Sequence, residues 1–207
     1  MATAVKICGI TRHDDAQTAA RLGAQAIGFV FCAKSPRNIV AATALEIART
    51  LPPFVMTVGL FVNPSAGEVE SVLKTLPLQL LQFHGEEAPE FCNGFGVPFI
   101  KAARVKAGLD LIQYARRYHA ARGLLLDAFV DGTHGGTGTA FDWNLIPSER
   151  PLPVVLSGGL NSNNVGEAIR RVRPWAVDVS SGVETSPGIK DPQKIAAFIK
   201  EVRSADV

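Results

Sequence analysis

Two side chains in this sequence have the chemistry of a general base and a general acid. Cys8 ends an apolar run that begins at Ala4 and is followed by Gly9, and Asp127 follows three consecutive leucines. A thiolate can remove a proton where nearby positive charge stabilises it, and a carboxylic acid can supply one. Because free cysteine is among the most often buried residue types, packing is the competing interpretation of Cys8. As a pair, the two side chains suit proton movement within one substrate.

Glycine and serine cluster in two segments of the C-terminal part of the sequence. The first is LSGGL, with Gly158 and Gly159, and the second is DVSSGVE, with Ser180, Ser181 and Gly182. Backbone N–H groups beside glycine can approach an anion closely, and serine hydroxyls add further donors. These glycines could serve only tight turns. Two such segments, each following an apolar run, favour a phosphate-binding site.

Two further polar residues are candidates for contacts with the rest of a substrate. Arg37 in CAKSPRNI offers a planar fork to a carboxylate, although an ordinary surface arginine is the competing interpretation. His84, at the end of LQFH, is either a structural imidazole or a site residue, and the sequence leaves both open. The glycine-rich segment 131–143 predicts a mobile loop near the ligand. It is not a P-loop, because no Lys-Ser or Lys-Thr pair follows its glycines.

Eight short apolar runs at regular spacing would have to position these side chains. The runs start at Ala4, Ala26, Met56, Leu78, Phe99, Gly123, Pro153 and Ala176. Most are rich in Val, Ile, Leu and Phe without polar alternation, which is typical of parallel strands buried on both faces. With no extra antiparallel segment evident, they predict an α/β fold, a single-domain (β/α)8 TIM barrel, over an open doubly wound sheet. Such barrels build their active sites at the C-terminal strand ends.

Helical spacing between the runs supports this architecture. Ser65 is predicted to cap one helix, and Asp191 is predicted to cap the last, with a proline at the first helical position. Gly23 is a natural helix end. Another helix is expected after Asn161 or Ser162, whereas the segment following the glycine-rich loop has room only for a short one.

Composition excludes several classes of protein. The chain has 207 residues, of which 47% are hydrophobic, and a formal net charge of +2. One buried core, and hence a single domain over residues 1–207, is expected. No basic block supports a nucleic-acid partner. A membrane span would need roughly 18 consecutive apolar residues, and neither such a stretch nor a signal peptide is recognisable.

The three cysteines are odd in number and form no CxxC pair, so neither a disulfide framework nor a zinc ribbon is predicted. Free thiols favour a reducing, cytoplasmic location. We expect Cys32 and Cys92 to be packed in the core. Cys8, His84 and Asp127 lack the spacing of metal ligands, and no metal ion is expected.

Several motifs together resemble the phosphoribosylanthranilate isomerase family of tryptophan biosynthesis. In chain order they are KICGIT, GFVF with SPR, VGLFVN, LQFHGEE, LLLDA, GGTG with FDW, SGGL with NNV, and DVSSGVE with GIKD. Each is weak alone, but all of them occur in order and nearly end to end.

The resemblance implies a cofactor-free and metal-free Amadori rearrangement of N-(5-phosphoribosyl)anthranilate. It implies Asp127 as general acid, Cys8 as general base and Arg37 as the partner of the anthranilate carboxylate. It implies a phosphate site formed by Gly158, Gly159, Ser180, Ser181 and Gly182. His84 and Asp178 lie in matching motifs and are further candidate substrate-binding residues, with their roles left open. The implied partner is a small phosphorylated substrate, and a monomer and a homodimer both remain open.

Two other functions compete with this interpretation. A Schiff-base aldolase would need a desolvated lysine facing the site, and Lys6 and Lys101 are candidates, although each falls early in its apolar run. A non-catalytic phosphate-binding barrel would make substitutions of Cys8 and Asp127 silent in any turnover assay.

Overall fold

A computed structural model describes residues 2–128 and 142–206 of the chain. Eight parallel strands form a closed barrel in sequence order, with the first strand paired to the last. The strands are β1 (Ala4–Cys8), β2 (Ala26–Phe31), β3 (Met56–Phe61), β4 (Leu80–Phe83), β5 (Phe99–Val105), β6 (Leu124–Ala128), β7 (Val154–Leu156) and β8 (Ala176–Val179). The predicted (β/α)8 barrel is confirmed, and the open-sheet alternative is wrong.

An α-helix follows each strand except β6, after which the residues that the structure describes, from 142 onward, contain none before β7. The helices are α1 (His13–Leu22), α2 (Ala41–Ala48), α3 (Ala66–Thr75), α4 (Pro89–Cys92), α5 (Leu111–Arg117), α6 (Val165–Val172) and α7 (Pro192–Ala205). After β6, the described residues contain the short 3₁₀ helix Trp143–Leu145. Most of the glycine-rich segment 131–143 lies outside the described residues. Within the described ranges, no helix is long and apolar enough to cross a membrane.

Three predicted helix ends are confirmed. Ser65 accepts a hydrogen bond from the Glu68 backbone N–H, and the Glu68 carboxylate accepts one from the Ser65 N–H, which completes a capping box. Asp191 accepts hydrogen bonds from the first backbone N–H groups of α7. Gly23 ends α1 in the left-handed conformation, with φ of 106°.

Helix α6 begins later than predicted. Its first residue is Val165, and its N-cap is Asn164 rather than Asn161 or Ser162. The reason is a turn of asparagines before the helix. The Asn161 carboxamide oxygen accepts from the Asn163 N–H, and the Asn164 carboxamide oxygen accepts from the Asn161 N–H. These local bonds occupy the groups that would otherwise start the helix.

An antiparallel hairpin follows β8, contrary to the expectation of no such segment. Its strands are β9 (Glu184–Ser186) and β10 (Ile189–Lys190). Gly188 in the turn has φ of +82°, and its carbonyl accepts a hydrogen bond from Thr11 Oγ1. The hairpin therefore packs on the C-terminal end of the barrel and brings two charged residues, Glu184 and Lys190, to that end.

The core is divided by the barrel wall. Side chains that point outward, such as Phe29, Phe61 and Phe83, are fully buried in one large cluster shared with the helices. Two small apolar clusters fill the barrel itself, one around Leu125 and one around Cys8. Several inward-pointing side chains nearer the C-terminal end are polar yet buried, namely Lys6, Gln82, His84, Asp127 and Asp178. Buried polar groups are costly unless paired, so this set marks the functional end.

Candidate active site

Four predicted site residues lie at the C-terminal mouth of the barrel. Cys8 ends β1, His84 directly follows β4, and Asp127 and Asp178 lie in β6 and β8. Side chains alternate between the two faces of a strand, and these four belong to the inward set. All are buried, with Cys8 4% exposed and Asp127 4% exposed. The closed barrel therefore brings together residues that are far apart in sequence.

The candidate acid is held by a chain of three buried polar side chains. Asp127 Oδ2 lies 3.0 Å from His84 Nε2, and His84 Nδ1 lies 3.0 Å from Gln82 Nε2. With the Gln82 amide donating to Nδ1, a neutral His84 donates its Nε2–H to Asp127. The other carboxylate oxygen of Asp127 accepts from the Ala128 N–H at 2.9 Å. His84 therefore orients the Asp127 side chain, a role that the sequence left open.

Gln82 belongs to this hydrogen-bonded series of side chains, and the sequence analysis missed it. Its position two residues before His84 on β4, and so on the same inward face, was the available signal. Its Oε1 atom is buried and has no hydrogen-bond partner among the described residues. Rotation of the Gln82 amide would place Oε1 instead of Nε2 beside His84 Nδ1. Gln82 can therefore also accept a hydrogen bond from the other imidazole tautomer, in which Nδ1 carries the proton.

The candidate base lies above a buried ion pair. Lys6, two residues before Cys8 on the same face of β1, has its Nζ 2.9 Å from Asp178 Oδ1. Burial raises the pKa of Cys8 above its ordinary value of 9.0, and the positive charge of Lys6 only partly offsets this. The resting protein therefore holds a thiol at neutral pH. A thiolate would need additional positive charge, such as that of a cationic substrate intermediate.

The Arg37 fork is already engaged within the protein. Its Nε and Nη2 donate to the two carboxylate oxygens of Glu184 at 2.8 and 2.7 Å. Lys190 Nζ, from the hairpin, also contacts Glu184 at 2.7 Å. Glu184 is a second residue that the sequence analysis missed. It fixes the guanidinium plane and leaves the edge with Nη1 for another partner.

The two predicted phosphate segments touch each other. Gly158 and Gly159, directly after β7, have φ of +82° and +66°. Gly182 lies in the 3₁₀ helix Ser181–Val183, and a Cβ atom there would collide with the Leu160 carbonyl oxygen. At Gly158 a Cβ atom would lie 2.5 Å from the Ala128 nitrogen and 2.9 Å from Asp127 Oδ1. Glycine is thus required where this loop packs against Asp127 and Ala128.

Comparison with known proteins identifies the family of the chain. The family described as N-(5'phosphoribosyl)anthranilate (PRA) isomerase matches residues 5–201. The chain belongs to this isomerase family. An N-(5'-phosphoribosyl)anthranilate isomerase from Nitrosospira multiformis is 58% identical over 202 residues, which cover 98% of this chain and 97% of that protein.

Solved structures agree with this isomerase assignment. One phosphoribosyl anthranilate isomerase, in complex with reduced 1-(o-carboxyphenylamino)-1-deoxyribulose 5-phosphate, is 43% identical with a TM-score of 0.86, covering 98% of this chain and 99% of that one. Another structure is of monomers generated from the dimeric isomerase of Thermotoga maritima. It is 41% identical with a TM-score of 0.86 and the same coverage of both chains.

The lysines proposed for a Schiff-base aldolase are unsuited to that role in this isomerase fold. Lys6 is paired with Asp178, and Lys101 is fully buried behind β4, where it donates to the Gly85 carbonyl oxygen at 2.6 Å. Neither presents a free amine to a substrate. Within residues 2–128 and 142–206, no group of three or more His, Cys, Asp or Glu side chains could hold a metal ion.

The burial of the three thiols differs in part from the prediction. Cys92 is fully buried as expected, but Cys32 is only half-buried. Cys32 follows the end of β2 and begins a polar loop, where its N–H donates to Asn38 Oδ1. Cys8 is itself buried. Cys32 is therefore the most accessible thiol of the isomerase, and chemical labelling needs a Cys32→Ser background.

Proposed function

We propose that Cys8 and Asp127 are the base and the acid with which this isomerase of tryptophan biosynthesis acts on N-(5'-phosphoribosyl)anthranilate. One observation carries the assignment. Asp127, held by His84, and Cys8, placed over the Lys6–Asp178 pair, are both buried at one barrel mouth. A proton donor and a proton acceptor on separate strands at one barrel mouth fit a reaction that only relocates protons.

The proposed reaction begins with proton donation by Asp127. Asp127 protonates the ribose ring oxygen, the bond from that oxygen to C1′ breaks, and the ring opens to an iminium. As the iminium forms, the Cys8 thiol gives its proton to solvent, and the resulting thiolate removes the proton from C2′. Those electrons neutralise the iminium to give an enolamine. Tautomerisation of the enolamine yields the ketone, 1-(2-carboxyphenylamino)-1-deoxyribulose 5-phosphate. Solvent takes the enol proton, supplies the proton to C1′ and reprotonates the Asp127 carboxylate, so atoms and electrons balance without an oxidant, a reductant or a cofactor.

The buried thiol is consistent with this order of steps. In the resting protein the raised pKa of Cys8 keeps the sulfur protonated at neutral pH. The iminium that Asp127 creates places a positive charge beside the sulfur, which favours the thiolate and acidifies the C2′ proton together. The base is thereby strengthened only after the acid has acted.

The activity itself is tested by generating phosphoribosylanthranilate in situ and following the loss of its fluorescence on addition of the protein. We expect turnover without added metal ion or cofactor, and unchanged turnover after treatment with a chelator. Absence of turnover by folded protein would contradict the proposed reaction.

The two ends of the substrate are assigned to different groups at the mouth. We place the phosphate at Gly158, Gly159 and the segment Ser180 to Gly182, because the two loops contact each other and glycine lets backbone N–H groups approach an anion closely. The anthranilate carboxylate is assigned to Arg37, whose guanidinium Glu184 holds in a fixed plane.

Arg37→Met tests the carboxylate contact. The substitution keeps much of the side-chain stem and removes the guanidinium, so dissociation constants should rise about 10-fold or more for substrate analogues that carry the carboxylate. Analogues without the carboxylate should bind as they do to the wild type. Titration calorimetry with matched analogues measures both.

The control for this test is Lys34→Met, which removes an exposed positive charge from the same loop. It should leave both sets of dissociation constants unchanged. Equal weakening of all analogues by Arg37→Met would mean that Arg37 acts through loop order or general charge.

We further propose that the chain forms a homodimer through the N-terminal end of the barrel. A cavity of about 480 Å³ opens there, with a mainly apolar lining that includes Met56, Leu80, Ile100 and Trp175. Phe54, in the loop before β3 at the same end, is fully exposed and has φ of 70°. A strained, exposed phenylalanine beside an apolar cavity suits reciprocal insertion between two copies. The dimeric relative from Thermotoga maritima supports the same state.

Phe54→Asp should therefore convert the dimer to a monomer. A charge at this position cannot enter an apolar cavity without a large desolvation cost. Light scattering after size exclusion should give twice the chain mass for the wild type and the chain mass for the variant, with kcat retained. Val40→Asp, a substitution of another exposed apolar residue at the opposite end, should leave the dimer intact. A monomeric wild type would overturn the proposal.

Residues 1–207 are proposed to form one domain, which the family match over residues 5–201 supports. A cytoplasmic location is proposed because Cys8, Cys32 and Cys92 are all free thiols, as is usual in reducing compartments.

A further inference from the structure

Lys6 is the buried charged group nearest to the proposed base along its strand. It points into the barrel, as Cys8 does, and is 5% exposed. Its Nζ lies 2.9 Å from Asp178 Oδ1, and its positive charge acts directly on the Cys8 thiol. An aldolase lysine would need a free neutral amine. Lys6 instead remains an ammonium, because Asp178 neutralises its charge.

Gly28 brings this ammonium and the thiol together. It is the β2 residue paired with Cys8, and it has no side chain to separate the two neighbours. A Cβ atom at Gly28 would lie 2.9 Å from Cys8 Sγ and 3.1 Å from Lys6 Cε. Both side chains therefore occupy the space that any other residue at this position would fill. The absence of a side chain at Gly28 therefore lets the Cys8 and Lys6 side chains lie next to each other.

Four charged groups of the described residues surround Cys8. Lys6 comes from β1, Asp178 from β8, Lys190 from the hairpin, and Arg37 from the loop after β2. Arg37 and Lys190 are both paired with the single carboxylate of Glu184. Lys6 favours the thiolate form of Cys8, and Asp178 opposes it. When the sulfur becomes an anion, Lys6 is the cation on its own strand that faces it.

We propose that Lys6 is a positioning residue for proton abstraction, whose ammonium, anchored by Asp178, is the counter-charge of the Cys8 thiolate. This inference rests on the proposed function of Cys8 as base. Lys6 keeps its proton throughout, and the proton from C2′ passes only to Sγ. The Lys6 ammonium thus raises the fraction of thiolate at a given pH, against the opposing effect of the Asp178 carboxylate. A lower pKa also makes the Cys8 thiolate a weaker base. The reactivity of the thiolate falls by a smaller factor than the fraction of thiolate rises.

The test is the pH at which Cys8 ionises, measured without substrate. In a Cys32→Ser background, the ultraviolet absorbance of the thiolate is titrated, and the same titration of the Cys8→Ala protein is subtracted. Lys6→Met should move the midpoint upward by about 1 to 3 pH units, the size expected for loss of an adjacent opposite charge. Lys6→Arg should keep the midpoint near that of the parent. At neutral pH, kcat of Lys6→Met should fall about 10-fold or more.

Lys101→Met is the matched control, since it also deletes a buried ammonium that is paired with a carboxylate, Glu87. It should lower the melting temperature and leave the Cys8 midpoint unchanged. If Lys6→Met does not fold, Lys6→Gln serves as a second neutral variant. An unchanged midpoint in a folded neutral variant would overturn the inference. This outcome is separate from failure of the proposed function, which is reported by turnover of Cys8→Ala and needs no titration.

Discussion

Asp127→Asn is expected to lower kcat by roughly 10²- to 10⁴-fold, the range that general acid–base catalysis contributes. The amide has nearly the shape of the carboxylic acid but cannot donate a proton of comparable acidity to the ribose ring oxygen. Cys8→Ala should produce a loss in the same range, because it removes the acceptor of the C2′ proton. Steady-state kinetics with phosphoribosylanthranilate generated in situ measure both.

The Asp127→Asn protein should remain folded. An asparagine can still accept from the Ala128 N–H, while its amide donates to His84 Nε2 once the imidazole changes tautomer. The unpaired Gln82 Oε1 is the acceptor that the new tautomer requires, after a rotation of the amide. The melting temperature should therefore change by only a few degrees, which separates lost chemistry from lost structure.

Cys92→Ala is the control for Cys8→Ala. It deletes an equally small and fully buried side chain far from the mouth, so it should cost some stability and leave kcat near the wild-type value. A near-normal kcat of Cys8→Ala would mean that Cys8 is a packing residue and not the base.

Gly158→Ala should reduce kcat/KM by about 10²-fold, the cost of misplacing a reacting group by about 1 Å. The added Cβ atom would lie 2.5 Å from the Ala128 nitrogen and 2.9 Å from Asp127 Oδ1. Because backbone cannot yield as a flexible side chain does, the loop after β7 must move away from the acid. Affinity for phosphorylated ligands should fall in parallel, since the same loop is assigned to the phosphate. Steady-state kinetics and calorimetry with inorganic phosphate test the two effects.

Gly96→Ala isolates the backbone strain from the collision. Gly96 has φ of +66°, close to that of Gly158, but a Cβ atom there would meet no atom within 4 Å. This variant should lose about 1 to 2 kcal/mol of unfolding free energy and keep its kcat/KM. If Gly158→Ala behaves like Gly96→Ala, the packing of this loop against Asp127 does not matter for catalysis.

Much of the barrel was predictable, because each parallel strand buried on both faces is a continuous apolar run. The runs starting at Ala26 and Phe99 coincide with β2 and β5. Strand β7 is shorter than its run, since the glycines after Ser157 adopt left-handed conformations that no strand uses. The hairpin after β8 was missed because its strands are only a few residues long. Its turn, with Pro187 and Gly188, was the available signal.

The candidate site was predictable residue by residue but not in its connections. Strand ends identified Cys8, His84 and Asp127, since active sites of barrels lie there. No local pattern links Arg37 to Glu184, which are 147 positions apart, or reveals that Glu184 engages the fork. Likewise, Gln82 and Lys6 acquire their roles only when the barrel closes and sets their inward neighbours.

The pairing of β1 with β8 also has a consequence for how the polypeptide reaches its native state. Lys6 and Asp178 are 172 positions apart, so the ammonium has no carboxylate until nearly the whole chain has been synthesised. Contacts between such distant positions form late, because the entropy of closing a long loop opposes them. Burying Lys6 without Asp178 would leave an uncompensated charge, which penalises any barrel that closes on itself prematurely. The same ion pair that lies beneath the sulfur thus delays assembly of the proposed base until the last strand is in place.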